Sequence, residues 1–338
     1  MTISISSIFS GNRLALSRLL TQIENDTSAG QAALNELFPH TGRAHLIGVT
    51  GAPGTGKSSL VNRLAWFYRH PPAGQAPKRV AIVAVDPSSP FTGGAVLGDR
   101  VRMRDLAGDP GVFIRSMASR GSLGGLATAT AGVVQAFDAA GYEIILIETV
   151  GAGQAEVDIA RLAHTTLVVE APGLGDDIQA IKAGILEIAD ILIINKADHP
   201  GVEHTERALK GMLSLAHPVE RVFHHGQIMD VKTGTAQPEG PLWTPPILRT
   251  IATDNEGIPE LIHAIAEHRA YLETSGDWER RERARLQAEL FQRLQATLVT
   301  RWQATISDEH YHRIVDRLLE REISPREAVN ALLNGAPK

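Results

Sequence analysis

A phosphate-binding loop is the clearest chemical feature of the sequence. Gly51-Ala-Pro-Gly-Thr-Gly-Lys57-Ser58 has the spacing G-x-x-x-x-G-K-[ST], in which backbone N–H groups and a helix N-terminus surround phosphate oxygens. Lys57 is predicted to reach the β- and γ-phosphates, and the Ser58 hydroxyl to bind Mg²⁺. The predicted nucleotide contacts of this loop are Gly51, Ala52, Pro53, Gly54, Thr55, Gly56, Lys57, Ser58 and Ser59.

A second motif, Asn195-Lys196-Ala197-Asp198, directly follows an apolar run and predicts the base. The Asp198 carboxylate can accept two hydrogen bonds from the N1–H and N2–H₂ edge of guanine. Adenine offers no such donor pair and would leave a buried carboxylate unsatisfied. We therefore predict a guanine nucleotide, GTP or GDP, with Asn195, Lys196 and Asp198 among its contacts.

Three carboxylates predict a Mg²⁺ site: Glu148 and Asp86 follow apolar runs, and Asp99 lies in Leu97-Gly-Asp-Arg100. Glu148 is expected to hold Mg²⁺ through water, and the N–H of Gly151 to contact the γ-phosphate, so that this loop senses hydrolysis. Asp86 and Asp99 could ligate Mg²⁺ or position the attacking water, and Asp99 is equally compatible with a cap or turn residue. The predicted catalytic residues are Lys57, Asp86, Asp99 and Glu148, and the predicted metal ligands are Ser58, Asp86, Asp99 and Glu148.

Strands and helices alternate between Leu46 and His268, and this order predicts an α/β fold with a mostly parallel sheet. The strand candidates are near-continuous apolar runs, as expected when both faces of a sheet are covered. A helix is predicted over Ser59–Phe67, and loops over 71–77 and 226–246. The predicted strands are Leu46–Val49, Val80–Val85, Ile144–Ile147, Leu167–Val169, Ile191–Ile194 and Ile247–Ile251.

Helical segments flank this region at both ends. Residues 12–40 are predicted helical, with one apolar stripe of Leu14, Leu16, Leu19, Leu20 and Ile23. Helices are also predicted over Asp277–Arg301 and Asp308–Glu322, and a capping box at Ser324–Glu327 begins the last helix, which stops at Asn334. The predicted domains are a helical extension (1–42), a nucleotide-binding domain (43–272) and a C-terminal helical arm (273–338).

The C-terminal arm has leucines four residues apart, and two interpretations of them stay open. Such a stripe either packs onto the rest of the chain or pairs two copies, and the stripe alone cannot decide between them. Its members are Leu286, Leu290, Leu294 and Leu298, with Phe291 on the adjoining face.

Composition limits the classes of protein that fit. The chain has 338 residues, 43% hydrophobic and 21% charged, and a net charge of −5, which gives no reason to expect nucleic acid or a membrane as partner. Without cysteine, disulfides, zinc–thiolate sites and thiol catalysis are excluded. The sequence shows neither a signal peptide nor 18 uninterrupted apolar residues, so a cytoplasmic protein is expected.

Together these motifs resemble the MeaB/ArgK family of P-loop GTPases, in the SIMIBI class. The resemblance covers residues 10 to 272. It implies a GTP-dependent chaperone of an adenosylcobalamin-dependent acyl-CoA mutase that gates cofactor loading, protects the mutase and forms a homodimer. We expect GTP hydrolysis to depend on Mg²⁺ and to be slow without the partner, because the sequence offers no obvious basic finger residue. The matching blocks are residues 51–58, 83–89, 92–100, 102–103, 121–125, 148–156, 172–179 and 195–198.

The resemblance also assigns roles by position. It places Asp86 and Asp99 in a first switch, residues 148–154 in a second and residues 173–182 in a third, with Lys182 as a candidate transducer; a solvated helix lysine is the simpler interpretation. Where the family usually has a Ser-Ala pair for guanine, this chain has Ile251-Ala252. The Ala252 amide is therefore the predicted contact.

Two other functions are compatible with a phosphate-binding loop. A nickel-delivery GTPase of the same class would need a Cys/His-rich element, whereas this chain has only the adjacent pair His224-His225. A kinase that phosphorylates a small molecule or a protein would need an acceptor pocket with a further general base, which the sequence does not identify. The client mutase also stays open among methylmalonyl-, isobutyryl- and 2-hydroxyisobutyryl-CoA mutases.

Overall fold

The computed structural model of the chain contains two compact units, Met1–Arg285 and Leu286–Lys338. The first unit therefore also includes residues 273–285, which the sequence assigned to the C-terminal arm. The residues that the structure describes are 4–86, 104–106, 108–118, 125–149, 155–173, 187–215, 221–224, 227–230 and 242–334.

Seven parallel strands form the main sheet of the first unit, which confirms the predicted α/β class. Their order across the sheet is β3-β2-β4-β1-β5-β6-β9, and β7 pairs with β8 in a separate antiparallel hairpin. All six neighbouring pairs of the main sheet are parallel. The strands are β1 (His45–Thr50), β2 (Val80–Asp86), β3 (Val112–Ala118), β4 (Ile144–Thr149), β5 (Thr165–Glu170), β6 (Ile191–Asn195), β7 (Arg221–His224), β8 (Gln227–Asp230) and β9 (Ile247–Thr250).

Four strand assignments from the sequence need correction. Strand β3 was missed, because its apolar run is only three residues long before Arg115 and Ser116 interrupt it. Strand β7 was also missed, since only two of its four residues are apolar. Strand β8 lies inside the segment predicted as a loop, since four residues among glycine, threonine and proline carry little strand signal. Strand β9 ends at Thr250 and not at Ile251, which instead forms an isolated bridge to Glu256.

Helices cover both faces of the main sheet. None of those among the described residues combines the length and apolar character needed to cross a membrane. The helices are α1 (Ile5–Phe9), α2 (Arg13–Glu24), α3 (Ser28–Leu37), α4 (Lys57–Arg69), α5 (Gly125–Ala139), α6 (Ala155–Leu162), α7 (Val202–Leu215), α8 (Ile258–Ser275), α9 (Asp277–Thr305), α10 (Asp308–Leu319) and α11 (Pro325–Asn334), with short 3₁₀ segments at Phe38–His40 and Arg104–Leu106.

Alternate residues of each central strand enter different hydrophobic cores. In β2, Val83 packs with the N-terminal helices and α5, whereas Ile82 packs with α4 and α8. The same alternation holds in β4 for Ile145 and Leu146. Because side chains of a strand point alternately to its two faces, an unbroken apolar run is what a sheet covered on both sides requires.

The N-terminal helices belong to this packed unit. Leu16, Leu19, Leu20 and Ile23 of α2 are buried, but Leu14 is 60% exposed and does not belong to the buried stripe. The guanidinium of Arg115 in β3 donates to both carboxylate oxygens of Glu24, at 2.5 and 2.7 Å. The extension is therefore held by apolar packing and by a two-point ion pair.

The second unit exposes its leucines. Leu290, Leu294 and Leu298 are 68%, 50% and 55% exposed.

The predicted capping box at the start of α11 is confirmed, since the Ser324 N–H donates to Glu327 at 2.8 Å and the Glu327 N–H donates to the Ser324 hydroxyl at 3.3 Å.

A buried polar network joins the start of α9 to the opening ends of β5 and β6. Arg281 donates two hydrogen bonds to Asp190, each at 2.9 Å. His164 accepts the Leu46 N–H on Nδ1, so its Nε2–H donates to Glu282 at 2.6 Å. The hydrogen bonds from Arg281 to Asp190 and from His164 to Glu282 therefore tie α9 to these strand ends, which explains why residues 277–285 belong to the first unit.

Acid is expected to destabilise the first unit through two of its histidines. Burial lowers the pKa of His45 and His164 below the usual 6.5, so both bind protons less readily in the folded chain than in the unfolded chain. As the pH falls through 6.5 the unfolded chain binds protons that the folded chain does not, which removes up to about 1.4 kcal/mol per histidine per pH unit. We expect the urea midpoint, followed by circular dichroism, to fall between pH 7.5 and 5.5.

The stabilisation that Glu282 provides does not change between pH 7.5 and 5.5. Burial alone would raise its pKa, but hydrogen bonds from His164 and Arg285 outweigh burial and lower the pKa to about 2. Its stabilisation is thus lost only below pH 4.5. His45→Gln should flatten the slope between pH 7.5 and 5.5, whereas His263→Gln, at an exposed site, should retain it. A wild-type midpoint that does not change over this range would contradict the account.

Candidate functional site

The carboxyl ends of the parallel strands meet at one edge of the sheet and assemble the candidate site. The registers pair Val49 with Glu148, Thr50 with Val168, and Asn195 with Thr250. Residues that are far apart in the sequence therefore become neighbours at this edge, where ligands of open parallel sheets bind.

The phosphate-binding loop connects β1 to α4 and has two positions that only glycine can occupy. Gly51 has φ +135°, and a Cβ there would lie 2.0 Å from the Val169 carbonyl oxygen. Gly56 has φ +92°, and a Cβ there would lie 2.4 Å from Nδ2 of Asn195. Both glycines thus permit close approach as well as a left-handed backbone.

Lys57 is the first residue of α4, and its side chain is folded into the loop. It is only 6% exposed, and its ammonium group donates to the carbonyl oxygens of Gly51 and Ala52 at 2.8 and 2.9 Å. The positive end of the α4 dipole and this ammonium group therefore point to the same loop, which favours an anion there. Pro53 and Gly54 at the tip of the loop and Ser59 in α4 are exposed.

Ser58 and Glu148, which the sequence analysis assigned separately to a Mg²⁺ site, contact each other at the carboxyl edge of the sheet. The Ser58 hydroxyl donates to the Glu148 carboxylate at 2.5 Å, and Glu148 is 1% exposed. Oxygen donors of this kind, a hydroxyl and a carboxylate next to phosphate-binding backbone, fit the ligand preference of Mg²⁺. The residues that are present therefore suit the predicted metal.

A pair of buried threonines, which the sequence analysis did not predict, links the ends of β1 and β4. The Thr149 hydroxyl donates to the Thr50 hydroxyl at 3.2 Å, and both side chains are fully buried. Thr50 immediately precedes the phosphate-binding loop, and Thr149 follows Glu148. The contact thus fixes the loop relative to the strand that carries the metal-site carboxylate.

The Asn195 side chain joins the phosphate-binding loop to the end of β9. Its Nδ2 donates to the Thr55 carbonyl oxygen at 2.8 Å. Its Oδ1 accepts from the Thr250 hydroxyl and from the Ala252 N–H, both at 3.1 Å. The Ala252 amide, which the sequence assigned to guanine, thus donates to Asn195, and a direct contact of Ala252 with the base stays a prediction.

Asp198 lies at the surface, three residues after Asn195. Its side chain is 51% exposed, and its carboxylate lies 3.8 Å from Nε2 of His199. Lys196 adopts φ +57°, which turns the chain between the buried Asn195 and the exposed Asp198. This arrangement places a carboxylate where the edge of a bound base could reach it.

Several predicted site residues are not covered by these contacts. Asp99, Gly151 and Lys182 lie outside the described residues. Asp86 is described only by its backbone, which ends β2 opposite Ala118. Their roles stay predictions.

Comparison with known proteins identifies the family of the chain. Residues 16–307 match the family model described as methylmalonyl-CoA mutase-associated GTPase MeaB. A relative from Pyrococcus abyssi (strain GE5 / Orsay), named "Putative GTPase", is 41% identical over 323 residues, which cover 96% of this chain and 93% of the relative. GTPase ArgK of Escherichia coli (strain K12) is 36% identical over 282 residues, covering 82% and 77% of the two chains.

A solved structure is similar along nearly the whole chain. It is the crystal structure of a protein named LAO/AO transport system kinase, with a TM-score of 0.67 and 25% identity. The match covers 97% of this chain and 94% of that protein.

Proposed function

This chain belongs to the MeaB family of GTPases, and we propose that its GTP hydrolysis serves as a timing signal for an adenosylcobalamin-dependent acyl-CoA mutase. The observation that carries the proposal is the part-buried contact between the Ser58 hydroxyl and the Glu148 carboxylate, with the neighbouring Lys57 side chain folded into the phosphate-binding loop. Phosphate charge, a metal and the predicted second switch, residues 148–154, would meet at this point. A change in the γ-phosphate would therefore be transmitted to a segment that a partner could recognise.

The described residues support hydrolysis by positioning and charge stabilisation, without a covalent intermediate. Backbone N–H groups of residues 51–58 and the Lys57 ammonium group would bind the phosphate oxygens and orient them. Ser58 and Glu148 would hold Mg²⁺, which when bound neutralises charge on the β- and γ-phosphates. The Asp198 carboxylate would select guanine by accepting hydrogen bonds from the two adjacent N–H donors of the base.

The proposed partner role rests on the family and on the resemblance of the switch motifs. The family's name associates its members with methylmalonyl-CoA mutase. We propose that this chain gates cofactor loading of such a mutase and protects it, with a slow intrinsic rate that the mutase raises. Which acyl-CoA mutase it serves is the finer question that the binding partner itself would answer.

A kinase is the second candidate, and one observation favours it. The similar solved structure is named as a transport system kinase. Transfer to an acceptor would place the γ-phosphate on another molecule, whereas hydrolysis would release it as inorganic phosphate. The two functions are therefore separable by following labelled phosphate.

We expect γ-labelled GTP to release its label as inorganic phosphate, and the rate to rise when a cobalamin-dependent acyl-CoA mutase is added. Ser58→Ala should reduce the rate at least tenfold, because it removes a predicted metal ligand. Thr274→Val, at an exposed position of α8, is the matched control and should hydrolyse GTP at the wild-type rate. Label on a protein or small-molecule acceptor would favour the kinase. A GTP hydrolysis rate that is fast and does not change when the mutase is added would contradict the timing role.

We also propose that the chain forms a homodimer through its second unit. Leu290, Leu294 and Leu298 lie four residues apart in α9 and are each at least half exposed. A stripe of exposed leucines is costly in water and gains free energy when a second copy covers it.

The dimer is tested by light scattering of the full chain. Leu290→Glu with Leu294→Glu should halve the mass, because charge would enter the proposed interface. Leu319→Glu, at a 73% exposed position of α10, is the control and should keep the dimer. If the double variant keeps the dimer mass, or if the wild type is a monomer, this interface is excluded.

A further inference from the structure

Thr250, the last residue of β9, contacts the predicted guanine-binding segment in two places. Its hydroxyl donates to Oδ1 of Asn195, and its carbonyl oxygen accepts the Ala197 N–H, each at 3.1 Å. Thr250 is 1% exposed, and Asn195 is 2% exposed. One buried threonine thus holds the segment at two positions, Asn195 and Ala197, which precede Asp198 by three residues and by one residue.

The hydroxyl of Thr250 also acts on the phosphate-binding loop through Asn195. The Asn195 amide uses Nδ2 for the Thr55 carbonyl oxygen and Oδ1 for Thr250 and Ala252. An amide that is fixed at both ends cannot rotate without breaking a buried hydrogen bond. The Thr250 hydroxyl therefore helps to set the distance between the phosphate-binding loop and the base-binding segment.

The position of this hydroxyl matters because the next residue has none. Where the sequence pattern that this chain resembles has serine, the chain has Ile251. Its N–H donates to the Glu256 carbonyl oxygen, which closes the loop after β9. Since successive side chains of a strand point to opposite sides, the inward hydroxyl at this strand end comes from residue 250.

We propose that Thr250 is a positioning residue for guanine recognition, acting through Asn195 and through the segment that carries Asp198. This inference rests on the proposed function, because it assumes that a guanine nucleotide binds here. Removing the hydroxyl would take away one of the three hydrogen bonds that hold the Asn195 amide, and would let the Asp198 carboxylate shift relative to the base. Guanine would lose more from that shift than hypoxanthine, which lacks the 2-amino group and offers only one of the two donors.

The test compares dissociation constants of GDP and of inosine diphosphate, measured by calorimetry with Mg²⁺ present. Thr250→Val keeps the branched shape but removes the hydroxyl. We expect it to weaken GDP binding about tenfold, the equivalent of one buried hydrogen bond, and inosine diphosphate binding less than that. Thr250→Ser keeps the hydroxyl and should retain the wild-type preference for GDP.

The selectivity ratio separates positioning from a general structural role. A variant that merely destabilised the fold would weaken both nucleotides equally, and Thr274→Val, on the surface of α8, should change neither constant. If Thr250→Val fails to fold, Thr250→Ala removes the same hydroxyl with a smaller side chain and should show the same loss of preference.

Two results would overturn the inference while leaving the guanine site intact: a wild-type ratio in the variants that lack the hydroxyl, or a loss of preference in Thr250→Ser. A wild type that binds GDP no better than inosine and adenosine diphosphates would instead refute the guanine site, and this inference with it.

Discussion

A single buried amide, that of Asn195, connects the parts of the molecule that must act together on a nucleotide. It hydrogen-bonds the phosphate-binding loop on one side and the end of β9 on the other. A buried amide left without partners costs free energy, about 1 to 3 kcal/mol for each unsatisfied group. The loop, the base-binding segment and the last strand are therefore favoured in one relative arrangement, and Gly56 is needed because any side chain there would collide with this amide.

The parallel sheet makes it possible for one amide to contact both the phosphate-binding loop and the end of β9. Strands with both faces covered by helices bring residues 50, 149, 195 and 250 to one edge, although 200 positions separate the first from the last. Because the interior is apolar on both faces, the polar groups concentrate at the strand ends. At the carboxyl ends they form the candidate nucleotide site, and at the opposite ends the Asp190–Arg281 and His164–Glu282 pairs hold the start of α9.

Local patterns predicted the parts of the site that lie close together in the sequence. The loop at Gly51–Ser58 and the segment Asn195–Asp198 are contiguous in the sequence, and Ser58 and Glu148 were each predicted as Mg²⁺ ligands, although their direct contact was not predicted. The Thr50–Thr149 and Thr250–Asn195 contacts were missed, because they depend on which strands are neighbours, and strand order is not a local property. Exposed Leu14 shows the converse limit, since periodicity marks one face of a helix but not how much of that face is covered.

The most direct test of this account is the GDP dissociation constant of Asn195→Ala, measured by calorimetry and compared with the wild type. The substitution removes three buried hydrogen bonds, each worth about 1 kcal/mol. We therefore expect GDP to bind about a hundredfold more weakly, with the helical circular dichroism unchanged. A dissociation constant within about threefold of the wild-type value would contradict the claim that this amide couples phosphate binding to base recognition.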